Sequence, residues 1–284
     1  MIGQILINGL LNGFVYALVA VGLSLTWGVM DIVNFAHGEF LLWGMYAAFW
    51  IWTLVGLDPL ISLPIIVVLI FALGVLTYLI VIRRVLKVSG LTALLATFGL
   101  SMVLKNLTQF FWTANYKNIT NPLVSNKSFK ILGMYIRQDY VVAAVGALLL
   151  TMLVMAFMNK TKTGVAIKAT SMNKQAAQLM GIDTSRIYAI TFGLSGACVG
   201  AAAALMASFT PIYPEACALY STLAFVIVAL GGFGNIKGAL YAGLIIGVAE
   251  ALGGYLIGTS YKYLVVFLIY LIVIQIRPRG LFGW

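Results

Sequence analysis

The chain has 284 residues, of which 63% are hydrophobic and only 8% are charged, and its formal net charge at pH 7 is +10. Because soluble domains carry about 25% charged residues, this composition excludes a soluble globular protein and predicts a polytopic membrane protein. The excess of Lys and Arg is interpreted as cytoplasmic loops that follow the positive-inside rule, and no nucleic-acid partner is expected. The two cysteines, Cys198 and Cys217, lack the spacing of a metal site and predict no disulfide framework.

Nine apolar segments are predicted to cross the membrane as helices. The first is interpreted as a retained helix, because residues 1–30 contain neither a charge nor the cleavage pattern of a removable signal peptide. The predicted fold is an all-α, polytopic bundle of about eight to ten transmembrane helices that forms a single domain over residues 1–284. The nine segments are 5–27, 41–55, 60–82, 91–112, 140–158, 187–208, 219–230, 239–257 and 263–276.

Three basic clusters predict the orientation of the chain in the membrane. The clusters at 83–87, 160–186 and 277–279 are expected in the cytoplasm. Counting spans between them places the N-terminus outside and the C-terminus inside. The polar connection 115–139 then lies outside, although it contains four basic residues.

Two glycine-rich interruptions, the first break (28–38) and the second break (231–238), resemble each other. Each follows an apolar helix, contains at least two glycines and an Asn, and precedes another apolar helix. Paired interruptions in two halves of a transporter point to a central binding or translocation site. Ordinary loops with turn glycines are the alternative, and the sequence leaves both interpretations open because it does not give depth in the membrane.

Four ionisable residues lie at positions where a charge is costly. Asp31 and His37 lie in the first break and Glu39 follows it directly, and a single His without a nearby Cys provides too few ligands for a metal site. The favoured interpretation is a loop end at which Asp31 caps a helix and Glu39 faces water, and the alternative is an intramembrane proton relay. Glu250 lies in the middle of an apolar segment and is the sharper candidate for a functional charge in the membrane, and the alternative is that it only pairs with a Lys or a backbone donor inside the bundle.

The sequence contains no signature of an enzyme. The glycines and Lys of the second break lack the spacing of a phosphate-binding loop, and no nucleophile elbow or paired catalytic acid is visible. We therefore expect a protein that is not an enzyme, that has no ATPase site of its own and that binds no cofactor or metal.

The basic segment, residues 159–186, is the main polar interruption of the chain. Ser171 and Asn173 are both candidate N-caps of a second helical piece, and Gly181 is well placed as the residue after its C-cap. An apolar face predicted here must be covered by lipid headgroups or by a protein, and its small residues without Trp or Phe favour a protein groove. The residues of this face recur at steps of four and three: Val165, Ala169, Met172, Ala176 and Leu179.

Several motifs together resemble the permeases of branched-chain amino acid ATP-binding cassette (ABC) importers, the LivH type. The most specific is Asn34-Phe-Ala-His-Gly-Glu39 in the first break. The resemblance covers nearly the whole chain in the order of the family. The other matching stretches are 97–101, 164–169, 176–182, 229–238, 247–251 and 277–283.

This resemblance implies one of two related permease subunits, as a homodimer or heterodimer, in a bacterial inner membrane. Two cytoplasmic ATPase subunits would use ATP, and a periplasmic solute-binding protein would deliver a branched-chain amino acid. The basic segment would be the coupling segment, with a cytoplasmic coupling helix docked on an ATPase. The residues assigned to coupling are Lys168, Ala169, Asn173, Lys174, Ala176, Ala177, Leu179 and Gly181.

The translocation path is expected to be weakly polar, because the transported solute is a zwitterion that must not be held tightly. The candidate path residues are Asn12, Asn34, His37, Glu39, Ser101, Thr191, Gly231, Gly232 and Asn235.

Other transporters remain as alternatives. An ABC permease for urea or short-chain amides would carry the same motifs. An ion-coupled secondary carrier would use the four ionisable residues of the spans for coupling. A channel is a third possibility, although no pore-filter motif is present.

Overall fold

The computed structural model describes residues 2–86, 88, 90–120, 122–124, 127–131 and 134–283. Over these residues the chain is helical, as predicted, with one small β-hairpin. A π-helical turn, Tyr78–Ile82, joins α3 to α4. The helices are α1 Ile2–Met30, α2 His37–Val55, α3 Pro59–Thr77, α4 Arg83–Val85, α5 Gly90–Trp112, α6 Gln138–Lys160, α7 Lys162–Met172, α8 Lys174–Leu179, α9 Thr184–Met206, α10 Ala216–Gly231, α11 Ile236–Leu256 and α12 Lys262–Ile276.

Seven helical segments of the described chain are long and apolar enough to span a membrane, with α3, the π-helical turn and α4 counted as one. The shorter apolar helices α10 and α12 fall on the remaining two predicted segments. The polar connection 115–139 contains the antiparallel strands β1 Ser128–Ile131 and β2 Met134–Arg137, which the sequence analysis did not predict. Lys87, part of the first basic cluster, lies outside the described residues.

Small residues bring α1 and α11 into direct backbone contact. The two helices run antiparallel, because Gly9 meets Gly247 and Gly13 meets Gly243. A Cβ atom at Gly247 would lie 2.3 Å from the carbonyl oxygen of Gly9. Such close approach is how helices associate in lipid, where burial of apolar surface gives little driving force. Helix α9, rich in Gly and Ala, is buried in the same way against α3, where a Cβ atom at Gly196 would lie 2.5 Å from the Ile70 oxygen.

The first break folds back into the bundle. Helix α1 ends at Met30, and Asp31 adopts a left-handed φ of 55°. His37, the first residue of α2, is fully buried, and its Nε2 lies 2.9 Å from the carbonyl oxygen of Val19. Val19 precedes Met30 by eleven residues, which corresponds to about 16 Å along a helix. Helix α2 therefore begins well inside the bundle, so the first break is re-entrant and is not an ordinary surface loop.

Candidate functional site

Asn34 and His37 of the first break, and Glu39 directly after it, lie in the interior, contrary to the favoured sequence interpretation for Glu39. Glu39 is only 5% exposed and does not face water. Asp31 does not cap α2, because the N-cap position is Ala36 and receives no side-chain hydrogen bond. The interpretation was wrong because it assumed a surface turn, whereas the chain from Asp31 to Ala36 turns inward beside α1 and α9.

Buried polar atoms without a hydrogen-bond partner mark this interior region. Asn34 accepts from the backbone N–H of Ala36 through Oδ1, but its Nδ2 has no partner among the described residues. The same holds for Nδ1 of His37 and for Oε2 of Glu39. Each such atom costs about 1–3 kcal/mol when it is left unpaired in a dry interior. These groups are thus able to hydrogen-bond a polar solute or water that enters the region.

Helix α5 adds a hydroxyl and a cation to this region. Ser101 lies beside the Glu39 side chain, and the charge of Lys105 acts on the same carboxyl group. Cys217, at the start of α10, lies 3.8 Å from Glu39 through its Sγ atom. We refer to Asn34, His37, Glu39 and Ser101 as the interior polar cluster. Lys105 therefore lies near this cluster and acts on it through its charge.

The remaining candidate path residues lie elsewhere. Thr191 is buried in α9 and donates its hydroxyl to the Ile187 oxygen at 2.8 Å, so its polar group is used within its own helix. Asn12 lines a separate pocket near the opposite ends of the helices. Gly231, Gly232 and Asn235 belong to the second break. The structure thus places the candidates in several groups. Within the interior polar cluster, His37 faces α1 through the Val19 oxygen, whereas Glu39 faces α5 and α10.

The two breaks contact each other at their glycines. A Cβ atom at Gly28 would lie 2.6 Å from the Cα atom of Gly234. Beside this contact the rings of Trp27 and Phe233 stack with their centroids 4.2 Å apart. Asn235 caps α11, because its Oδ1 accepts from the backbone N–H of Gly238 at 3.0 Å. The similarity of the two breaks in the sequence therefore corresponds to a direct contact in the fold.

A cleft of 710 Å³ opens next to this contact, on the predicted cytoplasmic side. One wall is the end of α1 with the second break, including Gly28 and Asn235. The opposite wall is α7 of the basic segment, with Ile167 and Lys168. The basic segment is thus adjacent to the region where both breaks meet.

The C-terminal tail secures the second break, a role that the sequence analysis did not assign. The backbone N–H of Leu281 donates to the Leu230 oxygen at 2.7 Å, and Asn235 donates through Nδ2 to the Phe282 oxygen at 3.0 Å. Gly280 has a φ of 82°, and a Cβ atom there would lie 2.6 Å from the Ala229 oxygen. Glycines 280 and 283 after Pro278 were the available sequence signal, because they mark a tight turn without showing what it contacts.

The basic segment forms two short consecutive helices, α7 and α8, whose ends are capped. Asn173 is the N-cap of α8 as predicted, and its Oδ1 accepts from the backbone N–H of Ala176 at 3.0 Å. Gly181 follows the end of α8 with a φ of 81°, as predicted for the residue after a C-cap. At the other end, α7 begins so close to α6 that a Cβ atom at Gly164 would lie 2.3 Å from the Phe157 oxygen.

Most of the predicted coupling residues are available at the surface. Leu179 is 89% exposed, and its neighbour Met180 is 83% exposed. Ala177 is only 4% exposed, so its methyl group packs inside the chain and does not form part of the outer surface. The exposed members of the set are Lys168, Asn173, Lys174, Ala176, Leu179 and Gly181, and Ala169 is partly exposed.

Comparisons with known proteins agree with the helical fold and the sequence motifs. Residues 5–274 match the protein family described as "Branched-chain amino acid transport system / permease component". The chain is 32% identical to the high-affinity branched-chain amino acid transport system permease protein BraD of Pseudomonas aeruginosa, over 99% of this chain and 95% of BraD. It is 29% identical to the corresponding LivH protein of Escherichia coli K12, over the same shares of the two chains.

Among solved structures, the chain is similar to PsaBC from Streptococcus pneumoniae in complex with a Fab, with a TM-score of 0.53 and 14% identity. The match covers 96% of this chain and 91% of the other, and at this identity it supports the fold alone. Together with the seven apolar helices, the sequence relatives identify a multi-pass protein of the inner membrane.

Proposed function

Because the chain belongs to the family of branched-chain amino acid transport system permease components, we propose that it carries branched-chain amino acids across the inner membrane as a subunit of an ABC importer. In this assembly it pairs with a sister permease subunit, either a second copy or a related chain. Two cytoplasmic ATPase subunits bind and hydrolyse ATP, and a periplasmic solute-binding protein delivers the amino acid. The chain itself provides the path and has neither an ATPase site nor a cofactor.

The observation that supports ATPase coupling most directly is the exposed apolar surface of the basic segment. Met172, Leu179 and Met180 are 87%, 89% and 83% exposed. They lie on a segment whose backbone is fixed by the caps at Asn173 and Gly181. A rigid apolar surface of this kind is suited to a groove on another protein. The absence of Trp and Phe from the segment makes a lipid interface a poorer alternative.

The packing of α7 provides a route by which movement of the ATPase subunits reaches the membrane helices. Gly164 contacts the end of α6, and Ile167 is fully buried in the core. Because close-packed elements move as rigid bodies, displacement of α7 and α8 also displaces the ends of their neighbouring helices. The cleft between α7 and the second break then changes its width, which links ATP hydrolysis to the contact between Gly28 and Gly234.

The interior polar cluster is the proposed middle of the path. Its unpartnered groups include a hydrogen-bond donor on Asn34 and an acceptor on Glu39. These complement the carboxylate and the ammonium group of an amino acid, while the apolar surroundings suit an aliphatic side chain. Alternating access opens the cluster first to one side and then to the other.

A reconstituted transporter tests this function. The chain is assembled with its sister subunit, ATPase subunits and binding protein in proteoliposomes, and ATP-dependent uptake of leucine is measured. The variant Leu179→Asp places a charge in the proposed ATPase groove. We expect it to weaken ATPase association and to lower uptake by at least about tenfold, as for other buried apolar anchors at interfaces.

Val88→Asp is the matched control, because Val88 is 72% exposed and lies beside the other predicted cytoplasmic cluster. It is expected to transport leucine close to the wild-type rate. Normal uptake and ATPase binding by Leu179→Asp would refute the coupling assignment. Uptake by the chain alone, driven by a proton or sodium gradient without ATP, would instead favour the secondary carrier.

A further inference from the structure

A second pocket, separate from the interior polar cluster, lies near the helix ends opposite the basic segment. Its volume is 220 Å³, and it lies between the first half of α1 and parts of α10, α11 and α12. Tyr140 at the start of α6 and Pro211 after α9 also line it, which places it on the predicted outer side. The polar lining side chains are Asn12, Tyr16, Tyr140, Thr210, Tyr220, Glu250, Lys262 and Tyr263. We refer to this site as the outer pocket.

An ion pair between α11 and α12 forms the floor of the outer pocket. Oε1 of Glu250 accepts from Nζ of Lys262, which is the pairing that the sequence offered as the alternative to a functional charge. Glu250 is 5% exposed, whereas the Lys262 side chain is 32% exposed and lies above the Tyr263 ring at 4.7 Å. The ammonium group therefore remains reachable from the pocket after it has paired with the carboxylate.

The carboxylate is only half satisfied. Oε2 of Glu250 is buried, and no hydrogen-bond partner for it is found in the described part of the chain. A buried ion pair stabilises a protein only when its remaining lone pairs are also hydrogen-bonded. As a purely structural clamp the arrangement is incomplete, because Glu250 lines the outer pocket beside the hydroxyl groups of Tyr16 and Tyr263 while its Oε2 forms no hydrogen bond within the described residues.

We propose that the outer pocket binds the zwitterionic head of an α-amino acid, antiparallel to the Glu250–Lys262 ion pair. The ammonium group of the ligand donates to the free Oε2 of Glu250, and the carboxylate of the ligand accepts from Nζ of Lys262. The ion pair stays intact, and the two opposed dipoles attract each other strongly in this low-dielectric site. This inference rests on the proposed function, and it makes the outer pocket an entry site for the amino acid before the path opens.

Aromatic rings make the same pocket suitable for an aliphatic side chain. The rings of Tyr16 and Tyr220 lie with centroids 6.2 Å apart, and those of Tyr140 and Phe209 lie 4.5 Å apart. Such rings present apolar faces and carry hydroxyl groups at their edges. The outer pocket therefore recognises the head group that all α-amino acids share. The side chain of the bound amino acid contacts a broad surface that discriminates little among leucine, isoleucine and valine.

Binding is measured on the purified full chain in nanodiscs of phosphatidylglycerol, which exclude aminophospholipids as a competing zwitterion. Radiolabelled leucine is titrated, and two analogues compete with it: 4-methylpentanoate, which lacks the ammonium group, and isoamylamine, which lacks the carboxylate. We expect leucine to bind and both analogues to compete at least about tenfold less well, because each lacks one of the two charged groups that contact Glu250 Oε2 and Lys262 Nζ. Equal competition by either analogue would overturn a zwitterion site.

Variants separate binding from structure. Glu250→Gln and Lys262→Gln are expected to weaken leucine binding at least about tenfold. Glu215→Gln, a carboxylate on the same side that hydrogen-bonds Gln109 outside the pocket, is the matched control and is expected to bind as the wild type does. Tyr16→Phe keeps the ion pair and removes one hydroxyl group. We expect it to bind leucine about three- to tenfold more weakly with an unchanged unfolding temperature.

The outcomes distinguish this inference from the proposed function. Wild-type binding by Glu250→Gln overturns the outer pocket as an amino acid site, even when the assembled wild-type transporter takes up leucine. If Glu250→Gln does not fold, leucine binding by Tyr16→Phe becomes the deciding measurement. Undiminished binding by Tyr16→Phe then overturns the proposal. Failure of the assembled wild-type transporter to take up any branched-chain amino acid refutes the proposed function, whatever the outer pocket binds.

Discussion

The contact between α1 and α11 gives a prediction whose size is set by the structure. Replacement of Gly247 by Ala adds one methyl group at the closest approach of the two helices. The added Cβ would lie 2.3 Å from the Gly9 oxygen, 2.5 Å from the Gly13 Cα and 2.6 Å from the Gly13 nitrogen. All three are backbone atoms, so a side-chain rotation cannot relieve the overlap. The helices must separate by about 1.1 Å to restore an ordinary 3.4 Å contact to the Gly9 oxygen.

Two opposing terms determine the net effect on the free energy of unfolding. Overpacking of a tight contact costs about 1–3 kcal/mol, and the rigidity of the backbone places this case near the upper end. The gain in helix propensity from Gly to Ala offsets about 1 kcal/mol. The net expectation for Gly247→Ala is a destabilisation of about 2 kcal/mol.

Gly254→Ala is the matched control on the same helix, because the nearest atom to its added Cβ is Lys262 Cβ at an ordinary 3.7 Å. It keeps the propensity gain without the overlap, so it is expected to be neutral or slightly stabilising. The free energy of unfolding is measured for both variants by titration with a denaturing detergent, followed by circular dichroism. Equal or greater stability of Gly247→Ala relative to Gly254→Ala would refute the argument that backbone contact through glycine holds these helices together.

Two further substitutions test the tail and the basic segment. Gly280→Ala places a Cβ on a residue of positive φ and in overlap with the Ala229 oxygen. We therefore expect the free energy of unfolding to fall by about 1–3 kcal/mol and the amides of 231–238 to exchange hydrogen faster. Gly56→Ala is the control for backbone strain alone, because Gly56 has a φ of 74° and no atom lies within 4 Å of the added Cβ. An equal loss of stability in Gly56→Ala and Gly280→Ala would argue against a role of the tail contact. Asn173→Ala removes the N-cap of α8 and is expected to destabilise that turn by about 1 kcal/mol, seen as faster exchange of its amides; unchanged exchange would contradict the capping role.

Local patterns predicted the helices and the basic segment well. The nine apolar segments each fall on a helix of the described chain, because the thickness of the bilayer and the absence of water set both the length and the composition of a span. Asn173 and Gly181 were identified as caps because capping involves backbone groups within a few residues along the chain. The resemblance to one family was equally visible, since its motifs occur in order over nearly the whole sequence.

The same local reasoning was wrong for the ionisable residues of the first break. A stretch with two glycines, an Asn and three ionisable groups has the composition of a surface turn, so Glu39 was expected to face water. Its burial follows from the inward path of the chain, which is fixed by contacts with partners far away in sequence. One is the Val19 oxygen beside His37, and another is Cys217 beside Glu39.

The sequence by itself therefore determined that this is a helical membrane protein, where its spans lie, which family it belongs to and where the basic segment is capped. Only the tertiary structure decided that the first break is re-entrant, that Gly28 meets Gly234, that the tail at Gly280 secures the second break and that Glu250 pairs with Lys262 in the outer pocket. The physical reason is the distance along the chain over which each interaction acts. Hydropathy and capping act within one span or one helical turn, whereas a close approach of two backbones or the pairing of two buried charges depends on how separate helices pack.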